Sequence, residues 1–482
     1  MTLFWVLSVF IGFFSNVLYT HYLPKAAFGN FTLMRTIINL LAVYSMFGFN
    51  HGLLRQGSIA LGKEREDIYD RIKNYTFTYS LVISLVLCVI IFVFANPIAT
   101  YLFRKPSIAN LIRFCSITVP IQLTSNMVLV LFRVNKQADR GQFLYTILYF
   151  VVQVALFYGL TFFCKDETLV ILTFVGSNLI YYAILFYYQR KFKVKTSFTL
   201  EKEEKKGLFK ISVPMFFAAT FNQSQKWGDT LFLGILGSNA DVGIYYIALR
   251  IGAFVSIPMN AFNQIFTPIA GRLIGKGEHR ELNDLYKTVT RIIFICGSLI
   301  FGLIYFLQDF LLNIFGKGYQ DAGKVILIIL ISETVDFGVG AARDLITMSG
   351  GGKINMINSM ITLCINVISS WLLIPHYGII GAAIANAVTN ISINLISVVE
   401  LMIIYKLSPF NKKYFFLITC FIICIVAVSY IPLSSFWKAI IFVLAIIPAY
   451  VFSLNKEEKN LFIGMVGDIG KKFKKRKRAY SN

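Results

Sequence analysis

Apolar segments long enough to cross a bilayer recur along the whole chain, and the short loops between them alternate between rich and poor in Lys and Arg. A crossing needs about 20 mainly apolar residues. Fourteen segments qualify, near residues 3–23, 31–54, 76–100, 108–132, 142–163, 169–188, 209–236, 242–270, 292–308, 323–348, 356–374, 379–405, 414–431 and 436–454. Backbone polar groups in lipid must be satisfied within the segment, so runs this continuous predict helices and not barrel strands. With 57% hydrophobic residues against 15% charged ones, an aqueous globule is excluded. The expected fold class is an all-α polytopic membrane protein with about 14 transmembrane helices.

The net charge of +22 raises the question of a nucleic-acid partner, which its distribution answers. If the N-terminus is cytoplasmic, the cytoplasmic segments hold 34 of the 46 Lys and Arg residues and the external loops hold seven. That asymmetry follows the positive-inside rule and puts both termini in the cytoplasm. The densest cluster, Lys471-Lys472-Phe473-Lys474-Lys475-Arg476-Lys477-Arg478, suits anionic membrane lipids or a topology anchor. No folded basic domain accompanies it, so nucleic acid is not an expected partner. No Lys or Arg precedes Lys25, and the first apolar run reads as a retained span and not a signal peptide.

Catalytic and metal signals are missing from the sequence. The seven cysteines form no CxxC pair and the four histidines are scattered, so packing roles are expected and no metal site is. Gly350-Gly351-Gly352-Lys353 resembles a phosphate loop only in part: Thr347 replaces its first Gly and Ile354 its magnesium-binding hydroxyl. It reads as a tight turn. The chain is not expected to be an enzyme or to need a cofactor. A transporter without a nucleotide site draws on ion gradients or on the membrane potential. Moving two negative charges outward gains roughly 4.6 kcal/mol per 100 mV.

The charge run around residues 189–206 reads as a solvated linker dividing the chain. The expected domains are an N-lobe of six spans (1–193), a C-lobe of six (194–408), two further spans (409–455) and the basic tail (456–482). Sliding the second half back by about 214 residues sets Phe28-Gly29 on Val242-Gly243, Gln122 on Asp336, Asp70 on Asp284 and Arg35 within one residue of Arg250. A duplicated six-span unit is the inference, with a pseudo-two-fold along the membrane normal.

Three stretches in this order carry a family resemblance. They are Leu23-Pro24-Lys25-Ala26-Ala27-Phe28-Gly29-Asn30-Phe31, then Gly237-Ser238-Asn239-Ala240-Asp241-Val242-Gly243-Ile244-Tyr245, then Ile374-Pro375-His376-Tyr377-Gly378-Ile379-Ile380-Gly381-Ala382-Ala383-Ile384-Ala385-Asn386. The chain resembles the polysaccharide (O-antigen or capsule type) flippases of the multidrug/oligosaccharidyl-lipid/polysaccharide exporter superfamily, over nearly its whole length. The resemblance implies a MATE-like fold of two six-helix lobes plus two C-terminal helices. It also implies a substrate, a polyprenyl-diphosphate-linked oligosaccharide, moved across a bacterial cytoplasmic membrane by alternating access, with polysaccharide polymerase machinery as a partner. Independently of the family, Gly378/Ala382 and Gly381/Ala385 are four apart and present small faces for close helix approach.

Polar residues inside the spans supply the candidate site. A charge at the bilayer centre costs roughly 2.5–3.5 kcal/mol, so Arg35, Lys226 and Arg250 need a partner, a hydrated cavity or a substrate. On helical wheels Thr32, Arg35, Asn39 and Asn50 share one face of span two. Asn222, Gln225, Lys226 and Asp229 share one of span seven, and Tyr246, Arg250, Asn260 and Gln264 one of span eight, where Pro258 can bend the helix. The expected diphosphate and sugar contacts are Arg35, Asn39, Asn222, Lys226, Asp229, Arg250, Asn260 and Gln264. Paired guanidinium groups suit a diphosphate because Arg grips it bidentately. Carbonyls, Tyr246 or a lipid phosphate are the alternative partners for each Arg, and a Lys226–Asp229 ion pair is the alternative for that helix. In span ten Glu333, Asp336 and Asp344 are the ion-coupling candidates, with Asp336–Arg343 or Asp344–Arg343 pairing as the rival account. A cation-coupled drug exporter and a membrane glycan polymerase or ligase are the competing functions. The first needs an acidic cavity, the second a large external catalytic loop.

Overall fold

The computed structural model describes residues 2–163, 167–316 and 318–453; the basic tail and Cys164 lie outside these. Among the described residues there are helices and no strands. In chain order they are α1 (Thr2–Tyr22), α2 (Lys25–Met46), α3 (Phe49–Gly62), α4 (Glu66–Val93), α5 (Ala109–Val134), α6 (Ala138–Thr161), α7 (Glu167–Lys191) and α8 (Lys202–Leu236). Then follow α9 (Asn239–Gly252), α10 (Ile257–Lys276), α11 (His279–Ile314), α12 (Ala322–Val339), α13 (Ala342–Met348), α14 (Gly352–Ile404), α15 (Lys412–Ser429) and α16 (Ser435–Ser453). The apolar segments read from the sequence are helical over most of their described length, although 31–54, 242–270 and 323–348 each run through a helix break. By length and hydropathy, however, eight of these helices can cross a membrane, or ten if the bent pairs α9–α10 and α12–α13 each count as one crossing. Fourteen is therefore not the number reached. One physical reason is visible in α8, whose Asn222, Gln225, Lys226 and Asp229 dilute the hydropathy of a helix that turns polar groups inward.

The described chain forms two compact units. The first holds residues up to Ala253 with Leu312–Ile329 and Lys353–Ile393. The second holds Phe254–Leu311, Leu330–Gly352 and the chain from Asn394 onward. In the first unit, Leu85, Val89 and Val93 on α4 and Ile368, Trp371 and Leu372 on α14 are exposed apolar side chains, as a surface bathed in acyl chains requires. Several hydroxyls buried in its interior are satisfied by their own helix. The Thr76 hydroxyl donates to the Ile72 carbonyl at 2.9 Å and Ser177 to Thr173 at 2.6 Å, each closing on its own helix.

α2 and α9 cross at their N-terminal ends with backbone against backbone. A Cβ on Gly29 would strike the Asn239 carbonyl, and one on Gly243 would stand 3.1 Å from the Lys25 carbonyl. Residues 25 and 29 are each 214 positions before 239 and 243, so the contact is reciprocal under the sequence register. α14 is two helical limbs joined at Gly378, whose φ of 54° and ψ of −126° only glycine adopts at low cost. The small-residue stretch serves that turn: a Cβ on Gly381 would collide with the Leu373 carbonyl of the preceding limb.

The segment read as a solvated linker keeps its Lys and Arg side chains exposed, while its backbone is strapped along α4. The Lys73 ammonium, 1% exposed, bonds Asp70 at 2.5 Å and the Phe192 carbonyl at 2.8 Å. Asn74 accepts from the Lys195 amide at 2.9 Å, Thr78 from the Ser197 amide at 3.0 Å, and Phe198 packs edge-on against Tyr79. Arg71 ties Glu201 and Glu204 at the start of α8, where those two acids also form a capping box.

In the second unit α15 and α16 pack on α11. The Tyr414 hydroxyl donates to the Gly338 carbonyl at 2.5 Å, and Tyr286 to Val339 at 2.7 Å. Phe294, Phe301 and Phe421 stack edge-to-face between α11 and α15.

Candidate functional site

Three cations of the first unit converge on one tyrosine. Tyr246 is 2% exposed on α9, and its electrostatic partners are Arg250, Arg35 and Lys226. The Arg250 guanidinium, one turn further along α9, donates to the Tyr246 hydroxyl and lies 4.7 Å from its ring centroid. Arg35, half-buried on α2, is surrounded by Tyr246, Tyr149, Tyr19 and Tyr145. Lys226 on α8 has Arg250 and Tyr246 as its electrostatic neighbours, and its ammonium stands 5.8 Å from the Trp227 ring. Lys226 and Asn222, one turn apart, are exposed in spite of their mid-helix positions. The cluster is thus open to solvent, and among the described residues no carboxylate pairs with any of its three cations. Guanidinium and ammonium groups without a carboxylate partner, with tyrosines as neighbours, have the chemistry that suits an anion.

Neutral polar groups flank it. The Gln122 amide of α5 donates to Asn39 at 3.0 Å, while its buried Oε1 finds no partner. Asn222 accepts weakly from Ser359 at 3.4 Å and Gln225 from Thr362 at 3.4 Å, joining α8 to the first limb of α14.

Several expected members are elsewhere. Asn50 does not continue the α2 stripe, because the chain leaves the helix at Phe47 and Gly48, both with positive φ, before α3 begins. Asp229 does not pair with Lys226. It is 1% exposed, and its carboxylate accepts from the Asn366 amide at 2.6 Å, the Asn386 amide at 2.6 Å and the Tyr245 hydroxyl at 3.4 Å. Asp229 therefore ties α8 and α9 to both limbs of α14. Asn260 and Gln264 do not extend the Tyr246–Arg250 stripe either. A break at residues 253–256 bends α10 by 51° from α9, and the two residues belong to the second unit, exposed there. Pro258 stands in the first turn of α10, where its missing N–H costs nothing, so it starts a new helix instead of kinking an old one.

The acids of the second unit also sit at a break. α12 and α13 meet at 42° around Gly340. Asp336 before the break accepts from Arg343 after it at 3.2 Å, the pairing weighed as the rival account. Glu333 accepts from the Ser256 hydroxyl at 3.2 Å, and Asp344 lies half-buried beside Arg343.

Tyr19, Tyr145, Tyr149, Asn366 and Asn386 were not foreseen as site or support residues. The two asparagines had a signal, since an amide inside an apolar run must find a partner. Tyr149 follows a π-helical turn, Leu144–Leu148, that re-aims the chain and that no hydropathy pattern shows.

Comparison with known proteins gives a consistent picture. The profile of a family described as polysaccharide biosynthesis protein matches residues 21–324. The capsular polysaccharide biosynthesis protein CapF of Staphylococcus aureus is 24% identical over 50% of this chain and 62% of its own length. A probable low-salt glycan biosynthesis flippase, Agl15 of Haloferax volcanii, is 24% identical over 40% of this chain and 42% of its own. The chain thus spans about half the length of the curated relatives it matches. Among solved structures, the lipid II flippase MurJ in an inward closed conformation superposes with a TM-score of 0.74 at 15% identity, covering 97% of this chain and 100% of that one. An inward-facing multidrug resistance MATE transporter follows at 0.64 and 16%, covering 82% and 93%. These structures share the fold.

Proposed function

This chain belongs to the polysaccharide biosynthesis protein family, and on that premise we propose that it is a flippase. It would carry a polyprenyl-diphosphate-linked oligosaccharide across the cytoplasmic membrane of a bacterium, both termini inside, for cell-surface polysaccharide assembly. The observation that carries this reading is the convergence of Arg35, Arg250 and Lys226 on Tyr246 without a carboxylate among them. The diphosphate of the substrate supplies the missing negative charge. Arg250 is held in place by its tyrosine, so little side-chain entropy is lost when it binds. Exposed Asn222 and the surrounding tyrosines Tyr19, Tyr145 and Tyr149 offer hydrogen bonds and apolar faces to the first sugars. Alternating access between an N-lobe and a C-lobe provides the movement. Glu333, Asp336 and Asp344 are the groups proposed to couple it to a cation or proton gradient, Asp336 by exchanging Arg343 for the ion.

A drug exporter would require an acidic cluster where the first unit has a basic one. The decisive experiment deletes the gene and follows lipid-linked oligosaccharide in sidedness assays. Accumulation on the inner face, reversed by the intact chain and not by Arg35→Gln or Arg250→Gln, is the expected result. Full reversal by both variants would end the proposal.

A further inference from the structure

The second unit contains a cavity of about 590 Å³ in which three loops meet. That volume is within the range of about 300–1,000 Å³ typical of small-molecule sites. Its polar lining comes from His279, Arg280 and Asn283 at the start of α11, Ser349 after α13, and Tyr405 and Lys406 after α14. The loop before α11 and the one after α14 are rich in Lys and Arg, and the third carries Lys353. The walls are fixed. The Asn283 side chain accepts from the Ser408 amide at 3.0 Å, which holds the loop after α14 against α11. Lys406 stands in the left-handed region at φ 55°, which turns the chain there. The Tyr405 hydroxyl lies so close to Gly351 that any Cβ there would collide with it, which fastens the third loop.

The charges of this cavity are unspent. Arg280, His279 and Lys406 are exposed, and none has an ion-pair partner among the described residues. The neighbouring acid Glu278 is turned to Lys276 at 3.6 Å. Hydroxyls of Ser349 and Tyr405 add donors suited to anionic oxygens. Ile274, Leu282, Ile404 and Leu407 supply an apolar wall on the same cavity. Cations and hydroxyls beside aliphatic side chains match one chemistry, a phosphate anion attached to an apolar body.

We propose that this cavity binds the phosphate head group of an anionic phospholipid of the surrounding leaflet, separately from the basic tail and from the Arg35 cluster. The proposal does not rest on the flippase reading. A structural lipid here would brace α11, α13 and α14, the elements beside the acidic bend.

The test uses the full chain purified in detergent, with bound lipid measured by native mass spectrometry during titration. Phosphatidylglycerol, phosphatidylcholine and inorganic phosphate are the three probes. The variant is Arg280→Gln/Lys406→Gln, and Lys205→Gln/Lys206→Gln is the charge-matched control in a different basic segment. Each cation lost near an anionic head group weakens binding about fivefold. The first variant should therefore bind phosphatidylglycerol about 25-fold more weakly, while the control binds like the parent. Phosphatidylcholine should bind poorly to all three proteins, and inorganic phosphate should not displace the lipid at millimolar concentration. Equal affinity in the two variants, or equal binding of both lipids, would overturn the site. Binding of inorganic phosphate alone would overturn the lipid as its occupant in favour of a soluble phosphate ester.

Discussion

The two compact units treat charge in opposite ways. In the first, Arg35, Arg250 and Lys226 gather around a tyrosine and leave their charge unanswered; the nearby carboxylate, Asp229, is absorbed by Asn366, Asn386 and Tyr245. At the acidic bend of the second, Asp336 meets Arg343 across a helix break, and that pair is answered within the protein. Both arrangements avoid the expense of a charge facing lipid. Of these two sites, only the first leaves a demand that something from outside must meet. An internally paired group is suited to switching partners and an unpaired cluster to capturing them, and we propose that coupling and binding fall to these different units.

The comparison can be broken most sharply at the cluster. Replacing Arg35 or Arg250 by Gln removes a charged hydrogen-bond donor worth about 1.5–3 kcal/mol. Export should fall roughly 10- to 100-fold in either variant, measured as inner-face accumulation of lipid-linked oligosaccharide, with folding unchanged by thermal unfolding in detergent. Unimpaired export in both would remove the distinction between the units. Asp229→Ala should do the reverse. It strands buried amide donors at about 1–3 kcal/mol each, so the melting temperature should drop by several degrees before any transport defect is seen in the folded fraction. A transport defect at unchanged stability would bring Asp229 back into the site. Asp336→Asn should leave substrate binding intact and flatten the response of transport to imposed proton and sodium gradients. A normal response would make the Asp336–Arg343 pair purely structural. Tyr246→Phe is expected to have the smallest effect. It keeps the ring beneath Arg250 but loses its hydroxyl, about 1 kcal/mol and hence about fivefold in export.

Much of this architecture was legible beforehand, because an apolar run of about 20 residues has few options in lipid. Helical periodicity also singled out Arg35, Lys226 and Arg250, which share Tyr246 as an electrostatic partner. What it could not see was where helices stop. The wheel that joined Asn50 to Arg35 ran through the break at Phe47–Gly48, and the one that joined Asn260 to Arg250 ran through residues 253–256. Pro258 announced a disturbance there, but not whether it would bend one helix or begin another. Asp229 and Lys226 are three apart and look like partners on a wheel, yet the choice between them depended on two asparagines more than 130 residues downstream. Lys73 shows the same limit. Its neutralising Asp70 is local, whereas the Phe192 carbonyl that buries it is not.

The crossing of Gly29 against Asn239 and Gly243 against Lys25 has one more consequence. If the halves descend from one repeated unit, that unit met its own copy face to face, with the same glycine pressed on the same neighbour from each side. Such a self-matching seam predicts an arithmetic oddity. Alanine at Gly29, whose methyl would overlap the Asn239 carbonyl, should loosen the junction far more than alanine at Gly243, and alanine at both should cost clearly less than the sum, since the first methyl already opens the gap the second would need.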